Sequence, residues 1–143
     1  MYRDVLVPTD GNETIETVLE HTKEVTRKDG TVHVLYVVDD HVLLTLADEM
    51  KDEVLTDLRE EGEVALETAA QVLKDASFDV TTEIREGKPA EEIITYVETE
   101  DIDLVTMGTQ GEDYTENMLG STSQKVVTNA PIPVLTVNVN DEP

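Results

Sequence analysis

The feature that most constrains this chain is an alternation. Short runs of apolar and β-branched residues take turns with stretches whose apolar residues recur every three or four positions. The short runs are residues 2–8, 31–38 (TVHVLYVV), 79–85 (DVTTEIR), 103–107 (DLVTM) and 134–139. Their length and β-branched content read as five strands. Between them, residues 13–28 carry Ile15, Val18, Leu19, Thr22 and Val25 on one helical face, and Asp29-Gly30 reads as the turn that ends this helix. Residues 52–75 form the longest helical stripe, with Val54, Leu58, Ala65, Ala69, Val72 and Leu73; Gly62 weakens it by ~1 kcal/mol relative to alanine. A third helix follows Gly87-Lys88-Pro89, with Pro89 near its first turn and Ile93, Ile94 and Val97 inward. A fourth spans residues 119–129, burying Val126 and Val127, and is broken by Pro131-Ile132-Pro133. Residues 39–51 read as a loop with a short helix, and residues 140–143 as a frayed end.

Strands alternating with helices imply a parallel sheet covered on both faces, and right-handed crossovers leave few topologies. The expected fold is an α/β, open five-stranded parallel sheet in the order 3-2-1-4-5. Strands one, two and four are the most apolar and belong in the centre. Strand three alternates with polar residues and belongs at an edge. At 143 residues the chain fits one domain over 1–143, large enough to bury about 68–70% of its unfolded surface. It has no cysteine, which excludes disulfides, thiolate metal sites and cysteine nucleophiles. No apolar stretch is long enough to span a bilayer, and the opening residues are too quickly broken for a signal peptide. A cytoplasmic address is expected.

Charge narrows the partners. The chain has 33 acidic residues against 10 basic, a net of −23. Such a surface repels nucleic-acid phosphates and anionic membranes, so neither is an expected partner. The acids are spread along the chain, as in Asp48-Glu49, Asp52-Glu53 and Glu60-Glu61, rather than gathered in a tail. That pattern points to a halophilic protein adapted to a salt-rich cytoplasm. At about 1 M salt the screening length falls to about 3 Å, and self-repulsion is weak.

In open α/β sheets, ligands sit outside the carboxyl ends of the strands at the switch of winding order, here between strands one and four. Strand one is followed by Pro8-Thr9-Asp10-Gly11. The Asp10 carboxylate suits a ribose hydroxyl or a base amine; alternatively Asp10 or Asn12 caps the first helix. Strand four is followed by Gly108-Thr109-Gln110-Gly111, and Gly120-Ser121-Thr122-Ser123 opens the last helix. Glycines allow close backbone approach, helix-start amides favour an anion, and Ser121 and Ser123 add hydroxyls. This chemistry suits a polyphosphate, although a glycine loop with a serine cap is also common in α/β proteins.

Three segments carry a family resemblance: Val5-Leu6-Val7-Pro8-Thr9-Asp10-Gly11; Gly87-Lys88-Pro89-Ala90 through to Met107-Gly108-Thr109; and Leu119-Gly120-Ser121-Thr122-Ser123 followed by Ala130-Pro131-Ile132-Pro133. In order, and over essentially the full chain, they resemble the universal stress protein family. The resemblance implies a Rossmann-like, adenine nucleotide alpha hydrolase-like fold and a stress-response or regulatory role. It also implies ATP as ligand in the members that bind it. By position, the phosphates would meet Gly108, Gly111, Gly120, Ser121, Thr122 and Ser123. The base and ribose would meet Pro8, Thr9, Asp10 and Val38, with Met107 nearby. It implies a homodimer paired through the last strand, Val134 to Val139. That strand would otherwise be an apolar edge, which independently favours pairing.

The chain departs from the binding pattern in two ways. Eight residues, not nine, separate Gly111 from Gly120, and the intervening segment carries Glu112, Asp113 and Glu116. Two like charges about 6 Å apart at an effective dielectric of 20 repel by about 3 kcal/mol, a hundredfold in affinity. Salt or bound Mg²⁺ would offset it. Two readings therefore stand: a nucleotide-binding regulatory module, and a regulatory dimer that acts through protein contacts without nucleotide. An adenine-binding enzyme domain of related fold is disfavoured, because no nucleophile has a base and an orienting acid nearby in the pattern. Slow ATP hydrolysis is the most that is expected, with no catalytic residue assigned. His21 and His33 read as structural, and Asp39, Asp40, His41 and Asp48 as solvated loop charges rather than a metal site.

Overall fold

The computed structural model describes residues 1–109 and 120–138. The expectations at Gly111, at the acids that follow it, at residue 119 and at residues 139–143 lie outside the described residues. The elements are β1 (Tyr2–Pro8), α1 (Ile15–Val25), β2 (Thr26–Asp39), α2 (Asp40–Leu44), α3 (Asp48–Asp75), β3 (Asp79–Gly87), α4 (Pro89–Thr99), β4 (Leu104–Gly108), α5 (Ser121–Asn129) and β5 (Val134–Val137). The strands form one parallel sheet in the order β3-β2-β1-β4-β5, as expected from the sequence. No helix among the described residues is long and apolar enough to cross a membrane.

Strand alternation divides the core between the two faces. Val7, Val32, Val34, Tyr36 and Val38 meet Val18 and Leu19 of α1 and Leu66, Ala69 and Leu73 of α3. Leu6, Leu35, Val105 and Met107 meet Ile93, Tyr96 and Val97 of α4 and Val126 of α5. Thr22 of α1 and Thr106 of β4 are both buried and share a 2.7 Å hydrogen bond, while the Thr22 hydroxyl also reaches the Val18 carbonyl. His33 is a satisfied core histidine: its Nδ1 lies 2.9 Å from the Tyr96 hydroxyl and its Nε2 3.1 Å from Asp4 Oδ1.

Four local expectations are corrected. First, α1 ends at Val25 and β2 begins at once with Thr26, so Asp29-Gly30 is not a helix-ending turn. Thr26 pairs with Tyr2 and Thr31 with Asp4, so β2 bulges against Arg3. Arg27 clamps the bulge with two hydrogen bonds to Asp29, at 2.9 and 2.8 Å. Gly30 passes so near the Arg3 carbonyl oxygen that a Cβ would collide with it. Second, α3 starts at Asp48 rather than residue 52, after the short α2. Third, Gly62 is not merely a weak point of α3: a Cβ there would stand 2.6 Å from Tyr36 Cδ1. The glycine makes room for the tyrosine ring. Fourth, Val127 is 43% exposed while Val126 is fully buried, because only Val126 lies on the face of α5 that meets the sheet.

Candidate functional site

β1 ends at Pro8, and the chain then folds into nested turns. The Thr9 amide donates to the Leu35 carbonyl (2.9 Å), which keeps the strand direction for one more residue. The Gly11 amide donates to Thr9 Oγ1 (3.1 Å), the Asn12 amide to Asp10 Oδ1 (2.9 Å) and the Thr14 amide to Asn12 Oδ1 (3.0 Å). These are the local side-chain turns that Asn, Asp and Thr favour. Asn12 therefore organises the entry to α1. Asp10 fixes the preceding turn with one oxygen, and its side chain is exposed at the strand end.

β4 ends at Gly108. The Thr109 amide donates to the Val137 carbonyl (3.0 Å), and the Gly120 amide returns to the Thr109 carbonyl (2.7 Å). The start of α5 is thus tied beside the end of β4. Gly120 is the residue before the helix, and Ser121, Thr122 and Ser123 form its first turn. Amides of a first turn have no intrahelical partners and carry partial positive charge. The hydroxyl of Ser123 is not free for a ligand: it donates to the Gly108 carbonyl at 2.8 Å. Ser123 is a strap between strand and helix; of its neighbours Ser121 is exposed and Thr122 half-buried.

These two corners enclose a cavity of about 390 Å³ at the β1–β4 switch point, within the usual range for small-ligand pockets. Pro8, Thr9, Asp10, Met107, Gly108, Gly120, Ser121, Thr122 and Ser123 all line it. Val38 does not. Its side chain lies on the opposite face of the sheet, in the core under α3. Its neighbours Val37 and Asp39 line the cavity instead. The period of two along β2 is the signal that separates them. Pro8 pairs with Leu35, and Leu35 lines the cavity, so Val37 and Asp39 share that side. Ile15 and Val18 of α1, and Pro89 and Ile93 of α4, also line the cavity and were missed. They look like ordinary core positions in the sequence.

The cavity has two chemical ends. Ile15, Val18, Val37, Ile93 and Met107 supply an apolar wall, and Gly108, Gly120, Ser121 and Thr122 a wall of backbone and hydroxyls. Among the described residues Asp10 and Asp39 are its two carboxylates, and no Lys or Arg lines it. Asp39 Oδ1 accepts from the His41 amide (2.9 Å) and caps α2. Among the described residues no group of three or more His, Cys, Asp or Glu is arranged to hold a metal ion. The arrangement can cradle an anion at the helix start, accept hydrogen bonds at Asp10, and bury a flat apolar group.

A model of the universal stress protein family matches residues 1–138. Universal stress protein MJ0531 of Methanocaldococcus jannaschii is 34% identical over 140 residues, covering 96% of this chain and 82% of that protein. The solved structure of MJ0577, from the same organism, superposes with a TM-score of 0.88 at 34% identity and covers 99% of both chains. The same fold is seen in a universal stress protein in complex with cAMP (TM-score 0.73, 20% identity, covering 97% of this chain and 99% of that one). It is seen again in an Arabidopsis thaliana family protein with AMP bound (TM-score 0.71, 18% identity, covering 95% and 91%).

Proposed function

Because this chain belongs to the universal stress protein family, we propose that it is a cytoplasmic stress-response module that binds an adenine nucleotide, ATP or a close relative, between β1 and β4. One observation carries the reading: a single cavity joins the apolar wall of Val37, Ile93 and Met107 to the glycine–helix corner of Gly108, Gly120 and Ser121. The base would lie on the first and the phosphates at the second, where first-turn amides favour anions. Asp10 would accept hydrogen bonds from the ribose. AMP and cAMP in two proteins of this fold support an adenine nucleotide as the ligand class. Bound Mg²⁺ would supply positive charge against Asp10, Asp39 and the acids between Gly111 and Gly120. The module would act as a homodimer through β5, an edge strand whose Val134, Leu135 and Thr136 are only half-buried.

The test is direct. The protein is purified in molar KCl with Mg²⁺, denatured, and its released small molecules are separated on an anion-exchange column. Near-stoichiometric ATP or AMP is expected, and the Asp10→Ala, Gly120→Val double variant should release none. Gly120 has φ −63, and among the described residues a Cβ there would meet the Thr109 carbonyl oxygen at an ordinary 3.7 Å. A protein that is empty and takes up no added ATP would instead favour the ligand-free interaction module. The acidic segment Glu112-Asp113 is the feature that favours that second reading.

A further inference from the structure

A second cavity, of about 700 Å³, opens between the loop before α1, α1 itself and α3. It shares Thr9, Asp10 and Ile15 with the first cavity and otherwise has its own lining. Its floor is apolar: Leu19, Val72 and the ring of Tyr36. Its walls are acidic: Asp10, Glu13 and Glu16 on one side and Asp57, Glu60 and Glu61 of α3 on the other. Among the described residues no Lys, Arg or His lines it.

An acidic surface is ordinary in this chain; Tyr36 is not. It is 8% exposed, and Gly62 makes room for its ring. Among the described residues its hydroxyl has no hydrogen-bond partner, yet no fully enclosed side-chain oxygen lacks one. The hydroxyl therefore meets the cavity. Burial pushes its pKa up, and the carboxylates of Glu61 and Asp10 push the same way. It stays a neutral phenol, able to accept from an N–H and to donate to a carboxylate.

We infer that this cavity binds a flexible aliphatic polyamine. Methylene segments would cover Leu19, Val72 and the Tyr36 ring. Ammonium groups would reach the two acidic walls, with one nitrogen donating to the Tyr36 hydroxyl. Asp57, Glu60 and Glu61 are spread over about 6 Å of helix rise, and the acids nowhere converge into a metal-holding group among the described residues. Spaced charge over an apolar floor suits an extended polycation better than a point ion. The inference does not depend on the nucleotide reading.

The test is calorimetric titration at 0.15 M KCl with the triamine spermidine, n-butylamine and Mg²⁺ as probes. Saturable one-to-one binding of the triamine is expected, at least tenfold tighter than butylamine and not displaced by equimolar Mg²⁺. Glu60→Gln with Glu61→Gln should weaken it at least tenfold, and Tyr36→Phe several-fold. The charge-matched pair Glu98→Gln with Glu100→Gln, on and just beyond α4, should leave it unchanged. Heat that never saturates, or equal losses from both pairs, would reduce the effect to diffuse attraction and overturn the site. So would saturation by a lysine-rich peptide alone, which would mark a protein-docking face. Should Tyr36→Phe fail to fold, the exposed Glu60 and Glu61 pair decides.

Discussion

The Ser123 hydroxyl donates to the carbonyl oxygen of Gly108 at 2.8 Å, across fifteen residues of sequence and with Ser123 only 6% exposed. The last residue of β4 and the first turn of α5 are therefore held at one distance. Ser123→Ala leaves a part-buried carbonyl with one partner fewer, a loss of about 1 kcal/mol. It also frees the first-turn amides to shift relative to Gly108. We expect ATP affinity to fall about tenfold, read by titration, alongside a lower urea midpoint. A lower midpoint with unchanged affinity would make Ser123 a stability residue only.

Much of the architecture was legible because it rests on repeating signals. The continuous apolar and β-branched run of residues 31–38 and the stripe through Leu58, Ala65, Ala69 and Leu73 act over many residues, so a few exceptions do not blur them. The readings that failed rest on a single neighbour brought close by folding. Asp29-Gly30 is a good turn dipeptide locally, but it belongs to the bulge of β2 that packs against Arg3. Gly62 looks unfavourable until Tyr36 is placed beneath it. The site followed the same rule. Pro8, Asp10, Gly108 and Gly120 stand at strand ends and a helix start, which sequence pattern can locate. Val38 came only from the family resemblance; the register of Pro8 with Leu35 turns its side chain to the opposite face and Val37 to the cavity. The strap at Ser123 was invisible, since a serine at a helix start gives no sign of a partner fifteen residues away.

Gly62 supports a prediction against helix propensity. In an exposed helix, Gly→Ala stabilises by ~1 kcal/mol. Here the new Cβ would lie 2.6 to 3.0 Å from three atoms of the Tyr36 ring, Cδ1, Cε1 and Cγ. The ring belongs to the core under α3, packed with Leu66, Ala69 and Leu73. Overpacking of this kind costs about 1–3 kcal/mol. Gly62→Ala should therefore be net destabilising by ~1 kcal/mol in urea denaturation. Combined with Tyr36→Leu, the alanine should cost nothing further. A stabilised single variant would show that α3 can slide away from β2.

Tyr96 predicts the alkaline limit of the fold. Its hydroxyl sits 2.9 Å from His33 Nδ1. Burial first, and then the carboxylates of Glu83 and Glu100, pushes its pKa up to about 12 from the ordinary 10.0. The folded state thus holds the phenol proton more tightly than the unfolded chain does. The resulting stability is fully present below pH 10 and is lost as pH rises towards 12. Tyr36 shifts in the same direction and adds to the slope. Urea midpoints measured from pH 8 to 11.5 should fall steeply above 10, and Tyr96→Phe should flatten that fall while lowering the plateau. An unchanged slope in the variant would assign the loss to other groups.

The net charge of −23 makes the last prediction. The ion pairs that the cations form are mostly on the surface, as between Arg27 and Asp29 or Lys51 and Asp48, and such pairs are worth little individually. Repulsion among the remaining acids opposes folding at low salt, when the screening length is about 10 Å, and fades as it shrinks to about 3 Å near 1 M. Thermal midpoints should rise as KCl goes from 0.1 to 2 M, by about 2–4 °C for each kcal/mol of repulsion removed. The rise should shrink in a variant with Glu60, Glu61, Glu63 and Glu67 changed to Gln, because that stretch of α3 concentrates the repulsion. A melting curve indifferent to KCl would mean that the acids are already far enough apart to ignore one another, and halophilic adaptation would no longer explain them.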